Sequence, residues 1–84
     1  MSDESIAARI ERLVGEEEQL RGREQTDRSD PDAVETEAER LRALEVELDQ
    51  CWDLLRQRRA LREAGADPDQ AQARDPGTVE GYRQ

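Results

Sequence analysis

Apolar residues recur along the first part of the chain with a helical rhythm. Ile6, Ile10, Leu13 and Leu20 stand four, three and seven apart, and Glu17 occupies the position that divides the last interval. This alternation of four and three is the seam of a heptad repeat. Val14 widens the stripe. The pattern predicts a first helix over Ile6–Arg21. Ser2, Asp3 and Ser5 offer N-cap oxygens, and Asp3 and Glu4 suit its positive end. Gly15 weakens the interior, and Gly22 is the expected C-terminal stop. The polar run from Gly22 to Asp30, GREQTDRSD, then reads as the turn of a helical hairpin.

A second, longer pattern opens at Asp30-Pro31. Asp30 is an N-cap candidate, and Pro31 sits at the first helical position, where its missing N–H is no loss. Asp32 and Glu35 place negative charge in the first turn. Neither Gly nor Pro follows until Gly65, the expected C-cap. Leu41, Leu44, Leu48, Cys51 and Leu55 hold the three-four alternation, and Trp52, Leu54 and Leu61 extend the apolar arc beyond it. A helix apolar over so wide an arc meets more than one partner. Asp67-Pro68 repeats the cap-then-proline signal, and DPG at Asp75 to Gly77 reads as a turn. In the remaining tail only Val79 and Tyr82 could anchor on a core.

The two helices are unequal, at ~24 Å and ~51 Å. Folded back, the first would cover about Val34 to Leu48 and leave Cys51 to Leu61 open. Either the tail or a second subunit must close that face. Charge favours a subunit. Asp30 to Asp53 holds nine acids against Arg40 and Arg42, whereas Arg56, Arg58, Arg59 and Arg62 follow with no acid among them. Two such helices set antiparallel bring opposite charges together. The expected fold is therefore all-α. It comprises an antiparallel hairpin with a short and a long helix over residues 1–65, pairing as a homodimer into a coiled-coil-like four-helix bundle, and an irregular tail over 66–84. Its expected interface is Leu48, Cys51, Trp52, Leu54, Leu55, Arg58, Arg59, Leu61 and Arg62.

Composition narrows the chemistry. The chain has 84 residues, 42% charged, with a net charge of −9. Such a surface repels phosphate backbones and anionic lipid, so neither nucleic acid nor a membrane is an expected partner. Every cationic residue is Arg, and there is no His and no Lys. The commonest general base, the commonest metal ligand and the Schiff-base amine are thus missing. Glu16, Glu17 and Glu18 are consecutive, so on a helix they diverge. Cys51 sits among leucines, where burial raises the thiol pKa. We expect a structural cysteine, no catalysis, no metal and no cofactor, although in an antiparallel dimer Cys51 could meet its own mate in an adventitious disulfide. A single cysteine, early acids and no apolar leader run point to a reducing cytoplasm.

The stretch LRALEVELDQCWDLLRQRRALREAGADPDQA, followed by VEGY, resembles the small actinobacterial helical proteins catalogued as a domain of unknown function, family 2630. The resemblance runs from Ile6 onwards and is most specific over Leu41 to Asp69. It implies a short, stand-alone, cytoplasmic helical protein and carries no activity, cofactor or catalytic residue. The functional expectation is a self-associating protein-interaction or scaffold module. The alternative is a nucleic-acid-associated factor that uses the basic end from Arg56 to Arg62.

Overall fold

In the computed structural model, which describes residues 2–26 and 30–79, helix α1 spans Asp3–Thr26 and helix α2 spans Pro31–Glu63. A single 3-10 turn, Pro68–Gln70, and a short helix α3, Pro76–Val79, follow. No strand occurs among the described residues. The long dimension of 54 Å matches the rise of about 50 Å expected of α2, which forms the spine.

Local chemistry fixes the helix ends. Ser2 and Ser5 cap α1 reciprocally: Ser5 N donates to Ser2 Oγ (3.1 Å) and Ser2 N donates to Ser5 Oγ (3.0 Å). Asp30 caps α2, its Oδ1 accepting from the Asp32 and Ala33 amides at 3.0 and 3.4 Å. At the far end Gly65, with φ +75°, donates to Arg62 O, and Ala66 donates to Leu61 O. These two bonds form a Schellman closure that needs the left-handed glycine. Asp67 caps the 3-10 turn in the same way as Asp30, accepting from Asp69 N at 2.9 Å. DPG opens α3 instead of forming an isolated turn.

Two expectations are corrected. First, α1 does not stop at Gly22 but continues to Thr26. Arg21, Arg23, Glu24 and Gln25 are good helix formers, and one interior glycine costs only ~1 kcal/mol against alanine. Gly22 keeps a negative φ. Second, with the turn shortened and α1 starting at Asp3, the first helix reaches much further along its partner. Arg21 meets Glu45 (3.4 Å), Arg40 meets Glu16 (2.8 Å), and Asp3 meets Arg58 and Arg62. The cover thus extends to Arg58 and beyond, not to Leu48 alone.

Between the helices, Ile6, Ile10, Leu13 and Leu20 form one core with Leu41, Leu44, Cys51 and Leu54. Leu48, Trp52, Leu55 and Ala71 pack against it from the edges. Ala71 belongs to the tail, so the chain after Gly65 folds back on α2. The anchoring role expected of Val79 and Tyr82 concerns a side chain and a residue outside the described set.

The glycines test the revised boundaries. A Cβ at Gly22 meets nothing within 4 Å. Gly22→Ala should therefore raise stability by about 0.4–1 kcal/mol in urea unfolding, whereas Gly65→Ala should lower it because of its positive φ. A destabilising Gly22→Ala would restore the shorter helix.

Candidate functional site

The two flanks of α2 differ. On one, the tail runs back as a polar strap. Gln57 is its main fastener: Nε2 donates to Gln72 O at 2.7 Å, and Oε1 accepts from Gln72 N at 3.3 Å. One turn pair earlier, Gln50 Nε2 donates to Arg74 O at 3.0 Å. Between the two glutamines lies Asp53, completely buried. Its Oδ2 accepts from Gln57 Nε2 (2.7 Å) and from Arg74 Nε (3.0 Å). Its Oδ1 has no hydrogen-bond partner among the described residues. A carboxylate removed from water depends on its counter-ion, so Arg74 holds the strap electrostatically as well as through its carbonyl. Half-buried Leu61 lines a shallow groove at this strap with Ala60, Gln70 and Arg74.

The strap's other fastener is Arg58. The residue is only 8% exposed, and its guanidinium joins three segments. Nε donates to Asp3 Oδ1 on α1, and NH1 donates to Asp69 Oδ1 on the 3-10 turn at 2.9 Å. Arg62 adds a second contact to Asp3 at 2.9 Å. The two guanidiniums hold the Asp3 carboxyl below the ordinary carboxylate range, and Arg58 does the same to Asp69.

The opposite flank is open. Val14 of α1 is exposed, and it borders a shallow groove with Leu48 and half-buried Trp52 of α2. Glu17, Glu45 and Asp49 rim this apolar floor, and Arg21 bridges Glu17 (3.5 Å) and Glu45 (3.4 Å) at its edge. No strap residue among those described lines it.

The residues expected at an interface therefore divide. Cys51, Leu54 and Arg58 are buried within the chain. Leu48, Trp52, Leu55 and Leu61 are half-buried at its edges, and Arg59 and Arg62 are exposed. Burial pushes the Cys51 thiol up, and its position between α1 and α2 keeps it from the mate that a disulfide would need. The arginine cluster is not a bare cationic patch: Arg58 and Arg62 pair with Asp3, and Arg59 pairs with Glu63 at 3.1 Å. Sequence reasoning missed the strap fasteners Gln50, Asp53, Gln57 and Arg74. Their signal was a polar stripe at spacings of three and four on α2, with two neutral amides in an otherwise charged helix. Among the described residues no three acidic or cysteine side chains converge as a metal-holding group, and no helix is long and apolar enough to cross a membrane.

The family model described as "Protein of unknown function (DUF2630)" matches residues 2–84, and the chain belongs to that family. It is 48% identical over 81 residues to the "Uncharacterized protein Rv0898c" of Mycobacterium tuberculosis (strain ATCC 25618 / H37Rv). The "Uncharacterized protein Mb0922c" of Mycobacterium bovis (strain ATCC BAA-935 / AF2122/97) matches equally; each alignment covers 96% of this chain and 90% of the relative. No solved structure matches the chain.

Two measurements probe the polar fasteners. Because the pKa values of Asp3 and Asp69 are lowered in the folded chain, their contacts stabilise it fully above about pH 4 and are lost as pH falls through the lowered values. The melting temperature of the wild type should therefore drop more between pH 5 and pH 2 than that of Arg58→Met. Equal drops would remove Arg58 from the account. At the strap, Arg74→Ala should cost more stability in the wild type than in an Asp53→Asn background, with a coupling of about 0.5–3 kcal/mol. Additive effects would mean that the buried ion pair does not hold the tail.

Proposed function

We propose that this member of a family of unknown function is a self-associating protein-interaction module, working in the reducing cytoplasm and performing no chemistry of its own. The observation that carries this reading is the asymmetry of α2. One flank is closed by the strap, while the other leaves Trp52, Leu48 and Val14 in an open apolar groove with a charged rim. A tryptophan left partly in water beside apolar neighbours has burial still to gain, and an apolar centre inside a polar rim is the anatomy of a protein–protein contact.

Other features support the absence of chemistry. The chain has no His or Lys, and its one thiol is buried with its pKa raised. Arginines that pair with acids of their own chain leave less positive surface for a phosphate backbone. No observation therefore favours the nucleic-acid reading over self-association. A mass-determining sedimentation series tests the proposal. The wild type should pass from monomer to dimer as its concentration rises into the high micromolar range. Trp52→Ala should shift that transition to higher concentration while keeping its helical circular dichroism. A strict monomer throughout would overturn the reading.

A further inference from the structure

The open flank of α2 carries a charge pattern that specifies how a second copy would lie. Beginning at Arg42, the stripe runs Arg42, Glu45, Asp49, Trp52, Arg56, Arg59, Glu63, at spacings of three, four, three, four, three and four. This is a second heptad seam, rotated about 100° from the one that faces α1, since Trp52 follows Cys51 by one residue. Asp49 and Trp52 are half-buried, and the other members are exposed. The strap's fasteners Gln50, Asp53 and Gln57 lie elsewhere around the helix, and of the stripe only Arg56 also borders the strap-side groove with Gln57, Gln70 and Arg74.

The stripe is antisymmetric in charge about Trp52. Three residues before it is Asp49, and four after it is Arg56. Seven before is Glu45, and seven after is Arg59. Ten before is Arg42, and eleven after is Glu63. Resting on the self-association reading above, we infer that two copies pair through α2 in antiparallel register, with Trp52 on the two-fold axis. Asp49, Glu45 and Arg42 of each copy then face Arg56, Arg59 and Glu63 of the other.

The alternatives fail on charge. A parallel pair in register sets each of these six residues against its own copy, giving six like-charge contacts. An antiparallel pair shifted by one heptad takes Trp52 off the axis and sets Glu45 of each copy near Trp52 of the other. Across an interface, opposed charges fix orientation and register more than they supply affinity, and an isologous contact repeats every pair twice. Glu45 and Arg59 already pair within the chain, with Arg21 and Glu63, and Asp49 and Arg56 also have interactions there. A second copy therefore extends existing ion pairs into a network. The apolar centre is only Trp52 with Leu48 and Val14 beside it, so the dimer is a small and reversible one, and its exposed pairs make it sensitive to salt.

Charge reversal tests the register with Glu45→Arg and Arg59→Glu, made singly and together and followed by sedimentation and native mass spectrometry. Each single variant should weaken the homodimer about tenfold or more, a loss of 1.4 kcal/mol, because two attractive pairs become repulsive. An equimolar mixture of the two single variants should form a one-to-one heterodimer, since each copy then supplies what the other lacks. The double variant should recover the homodimer. Thermal unfolding of each variant separates a lost dimer from a lost fold. A wild-type dimer that weakens with Trp52→Ala but ignores both single reversals overturns this register and leaves self-association standing. So does a failure of the mixture to pair. A wild type that stays monomeric overturns both.

Discussion

The fold turns on one side chain. Arg58 projects from the last third of α2 into a place where the N-terminus of α1 and the 3-10 turn of the tail converge, and its guanidinium pairs with a carboxylate on each. A planar fork with several donors can serve two carboxylates at once, which a lysine ammonium does less specifically. The consequence is topological. Asp3 fixes how far α1 slides along α2, and Asp69 fixes where the tail turns back. The exposed ion pairs further along, Arg40 with Glu16 and Arg21 with Glu45, agree with that register but stand in water, where such pairs contribute little.

From that register the division of α2 into two flanks follows. Among the described residues the core is a thin one, eight buried apolar side chains with four partly buried companions. It cannot wrap a helix of 33 residues on every side. The tail covers one flank through backbone groups that meet the amides of Gln50 and Gln57, and among the described residues it contributes Ala71 to the core. A polar strap of this kind is specific because it brings the Arg74 guanidinium to one oxygen of the buried Asp53 carboxylate. Among the described residues the strap does not reach the other flank, where Trp52 lies.

Much of this was legible in the sequence where the signal is local. Asp30-Pro31, Gly65 and Asp67-Pro68 mark their boundaries because capping depends on the few residues that form the cap. The heptad spacing of Ile6, Ile10 and Leu13 against Leu41, Leu44 and Cys51 identifies the buried faces because the helical period is fixed. Gly22 misled because a glycine signals both a stop and a merely tolerated interior position, and the balance rests on its neighbours' propensity. That error of a few residues moved the whole register, and with it the estimate of what α1 covers. The strap was invisible for another reason: Gln50, Asp53 and Gln57 look like solvated positions until a tail segment about 15 to 24 residues further along lies over them. Arg58 and Arg62 look in the sequence like a basic pole offered to another molecule, but Asp3, more than fifty residues away, takes them up.

The same correction alters what remains for a partner to recognise. With Arg58 and Arg62 held by Asp3, the other cations of that segment are Arg59 and Arg56, the latter also bordering the strap-side groove. They are the two that stand in heptad register with Trp52, and the acids that mirror them, Asp49 and Glu45, lie on the rim of the apolar groove. A net charge of −9 makes any two copies repel at a distance. Close approach is favourable only where the local pattern reverses that sign, and on α2 the antiparallel arrangement about Trp52 does so. In the proposed register, long-range repulsion combined with one self-complementary stripe would let the chain avoid indiscriminate association while meeting its own copy in a defined way.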